Sequence, residues 1–388
     1  MAQTLYFSRD TKFYVELPQA SGEFVWEIPI LDGFSFSQAT NSTEVTLAEM
    51  STGGTSRRGR AFFNDSLAPV EFSFSTYVRP YKTAGSGTGV FGDTQNEHHA
   101  VEEVLWALMV GDASVSSANF QGFTRDTTDL DISFANSNVV ELGPTTTGRE
   151  ANLYFTVGFG KSNPKVYKLS KAVINEATLD FDIDGIATIN WSGFASTIAQ
   201  SSAPTVDYNE DINATDNFIR NRLTELTIQS DDTTTFPGGH GGNTGKYSLT
   251  LTGGSITITN NVSYITPETL GTVNTPIGHV TGGRNVSGSF TCYLSHDSAN
   301  NNDGTSSDFF ADMTASAALD KITNSFTTTF LVGGATGTPR LELKMDQAHF
   351  EIPSHNIEDV IALETNFQAL PASVDDTDEL EIKYVGSA

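Results

Sequence analysis

The sequence predicts a mainly β protein built from two tandem domains, each with one short flanking α-helix. Three observations favour this fold class: apolar and polar residues alternate with a period of two along much of the chain, helical patterns are scarce, and the same order of segments recurs in both halves. A chain of 388 residues is also longer than a domain with one hydrophobic core usually is, and it has the length of two ordinary domains.

The clearest strand signal lies in residues 179–184, where apolar and acidic residues alternate. Leu179, Phe181 and Ile183 would face the core, and the aspartates between them would form a solvated face rather than a metal site. Asp184-Gly185 follows and favours a tight hairpin turn, because both residues tolerate a positive φ. The same alternation before and after this turn predicts two antiparallel strands.

Two segments carry a helical pattern. The stronger one, residues 97–110, has Asn96 as a plausible N-cap and Gly111 as a stop signal, and it places His98-His99 at an exposed helix start. The weaker one is residues 308–319. Apolar residues in the stronger segment recur at three and four positions, which is one helix face: Val101, Val104, Leu105 and Leu108.

The two halves repeat each other, which predicts an internal duplication with domains at 1–203 and 204–388. A small polar linker near residues 200–204 separates them. Six pairs of segments match in one order: 26–36 with 247–258, 71–78 with 287–294, the two helical segments, 153–160 with 327–334, 176–183 with 347–352, and 191–196 with 365–370.

Charge limits the classes of partner. The formal net charge is −26 and is spread over both halves, so the surface repels DNA and RNA. Against this background, Arg57, Arg58 and Arg60 cluster in a loop that also holds Gly53 and Gly54. The loop is interpreted either as a solvated turn or as an arm that docks on an acidic neighbouring subunit, with nucleic-acid contact as a weaker alternative.

Motifs for catalysis, metal binding and membrane insertion are absent from the sequence. The seven histidines lack zinc-site spacing, and no Gly-x-Ser-x-Gly motif occurs. The single cysteine, Cys292, allows no intrachain disulfide or Cys-built metal site and is expected to be a small buried residue. No apolar run approaches a spanning helix, and the N-terminus lacks a signal-peptide pattern. We therefore expect no enzyme activity, no cofactor and no membrane association.

Residues 26–111 and 171–198 together resemble tail tube proteins of long-tailed bacteriophages. The matching parts are a strand at 32–38, a long hairpin with a Gly/Arg loop, the segment 62–77, a single helix and the closing hairpin at 177–193. The resemblance implies β-sandwich or barrel domains whose strands join those of neighbouring subunits around a lumen. Family rings hold six such folds, so two folds per chain imply a ring of three chains with pseudo-sixfold symmetry, with six chains as the alternative.

This resemblance implies a major tail tube protein of the virion, assembled in the host cytoplasm, whose rings stack into a hollow tube for genome passage. Its partners would be other copies of itself and the tape measure, baseplate and tail terminator proteins, with a sheath protein as an open alternative. Viral DNA would pass without specific binding. A tail terminator, decoration or baseplate component is the alternative virion role, and an adhesin-type binding module is a further one.

Two sets of residues follow as site candidates. The loop with Gly53, Gly54, Arg57, Arg58 and Arg60 would form a contact between stacked rings, because arginine binds carboxylates bidentately. Polar strand positions with few basic residues would face the lumen, where phosphate pairing would retain DNA. The lumen candidates are Ser35, Ser37, Thr43, Glu44, Thr257, Thr259 and Ser263.

Overall fold

The structure is a computed structural model of the 388-residue chain. It describes residues 5–19, 22–45, 53–54, 60–83, 91–92, 96–110, 115–116, 119–120, 122–134, 150–213, 217–238, 244–270, 273–296, 303–319, 324–334 and 339–387.

The protein is mainly β, as the alternation predicts. The strands of the first half are β1 Thr11–Gln19, β2 Gly22–Ile28, β3 Ser35–Val45, β4 Ala61–Tyr77, β5 Pro80–Lys82, β6 His98–Ala100, β7 Val115–Ser116, β8 Asn119–Phe120, β9 Phe123–Arg125, β10 Leu130–Ser133, β11 Ala151–Val157, β12 Lys165–Asp182, β13 Thr188–Ala195 and β14 Thr197–Ser201. Those of the second half are β15 Glu225–Gln229, β16 Lys246–Leu249, β17 Leu251–Thr259, β18 Val262–Ile265, β19 Gly278–Thr281, β20 Asn285–Tyr293, β21 Phe326–Val332, β22 Arg340–Phe350, β23 Ser354–Asn356, β24 Ala362–Ala369 and β25 Glu381–Val385. The α-helices are α1 Glu103–Val110, α2 Ser306–Thr314 and the one-turn α3 Ser316–Leu319.

Long strands pass from one sheet layer to the other in each half. The first part of β12 pairs with β11 and β14, and its later part pairs with β13. Likewise, β22 pairs first with β21 and β25 and then with β24. Each half therefore has an outer sheet and an inner sheet that share one strand.

The inner sheets of the two halves join into one sheet, which we call the inner sheet. Its strand order is β3-β4-β13-β12-β17-β20-β24, with the end of β22 and then β23 along the far side of β24. The connection is the antiparallel pairing of β12 with β17, from Glu176 opposite Thr259 to Asp182 opposite Gly253. Core packing also crosses this connection, since Phe181 stacks on Phe330 at 5.5 Å.

Helix α1 starts later than the sequence predicts. His98–Ala100 form strand β6, which pairs with β5. The prediction that Asn96 caps the helix is therefore wrong: Asn96 lies in the turn before β6, with a φ of 64°. His98 and His99 are buried in this strand rather than exposed at a helix start. All eight residues of α1 are buried, and the second half contributes to this, since Tyr384 bonds to Trp106 and Asn260 bonds to the Met109 carbonyl. The predicted stop, Gly111, lies outside the described residues.

Candidate functional site

One face of the inner sheet is apolar and packs into the core, and the other face is polar. On β12 the buried Ala177, Leu179 and Phe181 alternate with polar residues that point away from the core. Among the described residues of this polar face, none is lysine or arginine. Its polar residues are Ser35, Ser37, Glu71, Ser73, Ser75, Thr188, Asn190, Ser192, Glu176, Thr178, Asp180, Asp182, Ser255, Thr257, Thr259, Asn285, Ser287, Ser289, Thr291, Glu364, Asn366, Gln368, His349 and Glu351. The same register also places the aromatic side chains of Tyr77, Phe194 and Tyr293 on this face.

Hydrogen bonds between neighbouring strands tie this polar face together. The Ser75 hydroxyl donates to Asn190 at 2.6 Å, and the Asn190 amide donates to Asp180 at 3.0 Å. The hydroxyls of Thr178 and Thr257 are 3.2 Å apart across the connection between the two halves. The polar face is thus continuous from the first half into the second.

The structure places four of the predicted lumen residues on this face: Ser35, Ser37, Thr257 and Thr259. Three lie elsewhere, on hairpins that extend beyond the inner sheet: Thr43, Glu44 and Ser263. Sequence reasoning missed the contributions of β4, β12, β13, β20 and β24 to the polar face. Their period-two alternation carried the signal, but the sheet order that places them side by side is a tertiary property.

The inner sheet ends in two strand edges that have no partner among the described residues. One edge is β3, whose residues 35–39 pair only with β4. The other is the segment 351–356, which contains β23 and pairs only with β24. Exposed apolar side chains accompany the second edge, since Ile352 is 51% exposed and Ile357 is 77% exposed. Such edges are templates for pairing with another chain.

The hairpin of β3 and β4 extends beyond the inner sheet, and we call its stem, residues 40–45 and 60–66, the arm. Gly53 and Gly54 belong to the loop at its tip, and Gly54 has a positive φ of 73°. Arg60 contacts Glu44 at 3.1 Å and is largely exposed. Arg57 and Arg58 lie outside the described residues. Two large apolar side chains of the arm are exposed: Phe62 by 57% and Phe63 by 63%.

The second half has a corresponding hairpin, β18–β19, which lies against the first half of the chain. The Ser196 hydroxyl donates to the Pro276 carbonyl at 2.7 Å, and the backbone N–H of Val262 donates to Asn175 at 2.7 Å. Val262 also packs against Val173 in a small apolar cluster. This hairpin thus fastens the second half to the first beside the β12–β17 connection.

A buried group of ionisable residues surrounds the start of α1. Arg125 donates to Glu103 at 2.8 Å, and His99 lies 3.5 Å from the same carboxylate. Burial alone would raise the pKa of Glu103, but the charge of Arg125 and the contact with His99 hold it below its usual value. Burial raises the pKa of the neighbouring Glu102 to about 7.

This group extends to residues far along the chain. Tyr81 donates to Glu210, which follows the linker, and the backbone N–H of Phe91 donates to Glu210 at 3.0 Å. Burial, and then the nearby charge of Glu103, raises the pKa of Glu210 to about 8. The Trp106 indole donates to the Tyr384 hydroxyl of β25 at 2.5 Å. The arrangement holds distant parts of the chain together and is closed to solvent.

Within the described residues, no three His, Cys, Asp or Glu side chains come together as a metal site would require. Cys292 is a small buried core residue as predicted, and burial raises the pKa of its thiol to about 12. None of the described helices has the length and apolar character to cross a bilayer.

One known protein resembles the chain in sequence along most of its length. No protein-family model matches the chain. The chain is 28% identical over 363 residues to the tail tube protein pb6 of Escherichia phage T5, covering 91% of this chain and 69% of that protein. The resemblance to tail tube proteins of long-tailed bacteriophages that the sequence predicts is thus confirmed, and it extends across both halves of the chain.

Proposed function

We propose that the protein is a major tail tube subunit that assembles with copies of itself into stacked rings, forming a hollow tube for genome passage. The observation that carries this proposal is the continuous polar face of the inner sheet, on which the described residues include acidic side chains but no lysine or arginine. A surface of this kind gives DNA no cation on which to lodge, because each phosphate pairing would add a salt-dependent hold.

We further propose that the halves 1–203 and 204–388 are a duplication, so that three chains complete a ring of six folds. The same irregularity interrupts β11–β12 pairing between Ala151 and Leu153 and β21–β22 pairing between Phe326 and Thr328. In a second correspondence, a phenylalanine and a glycine face each other on neighbouring strands in both halves, but on exchanged strands. Phe72 lies opposite Gly193 in the first half, and at the matching positions of the second half Gly288 lies opposite Phe367.

The unpaired edges support ring closure. Within one chain, the pairing of β12 with β17 joins the parts of the inner sheet that the two halves contribute. Strand β3 and the segment 351–356 then form the two free edges of this sheet. Pairing these edges between copies would repeat the internal connection and leave no edge open.

Electron microscopy of the purified protein tests the proposal. We expect long hollow tubes whose cross-section averages to three chains with near-sixfold features. Tubes with six chains per ring would contradict the proposed three-chain ring but would support the proposed tube. Isolated caps or closed single rings would favour a terminator or baseplate role, and monomers alone at high concentration would contradict self-assembly.

The tape measure, baseplate and tail terminator proteins are the proposed partners. The tape measure protein would occupy the lumen, and the other two would bind the two ends of the tube. DNA is proposed to contact only the polar face and to move along it without a specific site. A sheath would meet the outer sheets.

Replacing Arg57, Arg58 and Arg60 together with serine is expected to leave the subunit folded and to shorten or abolish tubes. Three arginines on an acidic subunit suit carboxylates of the next ring, and each charge-assisted bond contributes about 1.5–3 kcal/mol. Tube length by negative-stain microscopy at moderate salt is the measurement.

The control for the triple variant is Arg9→Ser, at an exposed arginine that, among the described residues, contacts only its sequence neighbours: Asp10 at 3.8 Å and the Phe7 ring at 5.3 Å. It should form tubes of normal length. Normal tubes from the triple variant, with unchanged thermal stability, would contradict a role of this loop in stacking.

A further inference from the structure

We propose that residues 207–211, which we call the strap, are held on the first half of the chain by a neutral Glu210 carboxyl group, and that loss of its proton releases them. The strap follows the linker near residues 200–204, at the start of the second half. The inference concerns a single chain and does not rest on the proposed function. It makes the closure of the strap depend on pH.

The strap lies along strand β2 of the first half. The backbone N–H groups of Asp207 and Tyr208 both donate to the Val25 carbonyl at 3.0 Å, and the Glu27 N–H donates to the Tyr208 carbonyl at 2.9 Å. The Asp207 carboxylate accepts from the Val25 N–H at 3.0 Å. The Tyr208 ring packs on the buried Trp26, with ring centroids 5.1 Å apart. The strap thus covers an aromatic part of the first-half core.

Glu210 enters the interior of the first half without a cation to pair with. Its side chain is fully buried; one carboxyl oxygen accepts from the Phe91 N–H at 3.0 Å, and the other contacts the Tyr81 hydroxyl. No ion pair within the described residues includes Glu210, since the guanidinium of Arg125 pairs with Glu103 at 2.8 Å. A buried carboxylate without a cation is costly, so the group takes up a proton instead.

The retained proton fixes the sign of the pH dependence. Burial, and then the nearby charge of Glu103, raises the pKa of Glu210 from its ordinary 4.5 to about 8. Below the ordinary pKa, the carboxyl group is protonated whether the strap is closed or open. Between the two pKa values, only the closed strap keeps the proton, so the equilibrium constant for opening rises up to about tenfold for each pH unit. The strap is therefore held most firmly at acidic pH and loses this hold as the pH rises through about 8.

The ionisable groups closest to Glu210 do not reverse this sign. Arg125 and His99 hold the pKa of Glu103 below its usual value, so Glu103 stays ionised. Burial raises the pKa of Glu102 to about 7, which acts in the same direction, but Glu102 accepts from the Arg79 N–H and lies next to β25 rather than the strap. The other ionisable groups on the elements packed here are His98, Tyr81, Lys82, Asp126, Asp129, Tyr208, Asp211, Lys383 and Tyr384.

Hydrogen–deuterium exchange of the full chain tests the strap directly. The N–H groups of Asp207 and Tyr208 are bonded only while the strap is closed. After correction for the intrinsic effect of pH on exchange, we expect their protection to fall about tenfold between about pH 7 and pH 9, a range above the ordinary pKa of histidine. In Glu210→Gln, which is uncharged, has nearly the same shape and still accepts from the Phe91 N–H, we expect a change of less than about twofold.

The matched control is Asp211→Asn, which removes the next carboxylate of the strap, an ion-pair partner of Arg79. Whatever its effect on protection itself, it should keep the tenfold ratio. The infrared band of a protonated carboxyl group needs no variant: the parent should show it at neutral pH and lose it as protection of the strap falls. Absence of this band at neutral pH, or equal pH dependence in the parent and Glu210→Gln, would overturn the proposal. So would a strap that is open at every pH in Glu210→Gln, because an ionised carboxylate would then be what holds it.

Discussion

Arg125→Met is expected to lower the free energy of unfolding by about 3–5 kcal/mol, because it leaves the buried Glu103 carboxylate without its cation. Arg125 donates to Glu103 at 2.8 Å, and both side chains are almost fully buried. Methionine fills a similar volume, so the loss measures the unpaired charge rather than a cavity. Chemical denaturation followed by tryptophan fluorescence reports it, since Trp106 and Trp191 pack at 4.9 Å beside this group.

Two comparisons make this result specific. Arg125→Met combined with Glu103→Leu removes both charges and should recover part of the lost stability. Arg9→Met, at an exposed arginine, should change stability by less than about 0.5 kcal/mol. Equal stability of the parent and the Arg125→Met variant would show that the pair does not support the fold.

Gly193→Ala and Gly288→Ala are each expected to cost about 1–3 kcal/mol of stability through overpacking. A Cβ at Gly193 would contact the Val173 carbonyl and come within 2.7 Å of the Phe72 ring. A Cβ at Gly288 would contact the Ser255 carbonyl and come within 2.5 Å of the Phe367 ring. Backbone carbonyls of a neighbouring strand cannot move aside cheaply, so both halves should respond alike. Denaturation midpoints measure the loss.

Gly283→Ala is the control for these glycines, because a Cβ there meets no atom within 4 Å. It should leave the midpoint unchanged. A normal midpoint for Gly288→Ala with a lowered one for Gly193→Ala would argue that the two positions are not equivalent, and would weaken the proposed duplication.

Local patterns made much of the β structure predictable. The alternation around Asp184-Gly185 located the hairpin of β12 and β13, since period and turn chemistry are properties of a few adjacent residues. Ile183, expected in the core, is instead 42% exposed, because β12 ends at Asp182 and the next residues form the turn.

Contacts between distant residues were beyond prediction from one sequence. The predicted start of helix α1 was wrong because His98–Ala100 pair with β5 as a strand. This pairing outweighs the local helical preference of these residues. The site was predicted only in part for the same reason. Alternation indicates that Ser35 and Thr257 face away from the core, but only the strand order shows that they share one continuous surface.

The place of the last strand has a consequence for folding during synthesis. Strand β25 pairs with β22 on one side and with β10 on the other, so Leu130 lies opposite Tyr384, roughly 250 residues later in the chain. At about 5–20 residues per second, a ribosome needs roughly 12–50 s between making β10 and making β25. Until then Trp106 has no Tyr384 to bond, and one side of α1 stays open. The first half therefore cannot complete its fold while the rest of the chain is being made. A truncated chain without β25 should be bound by chaperones or degraded by proteases, and it should not enter growing tubes in place of the full chain.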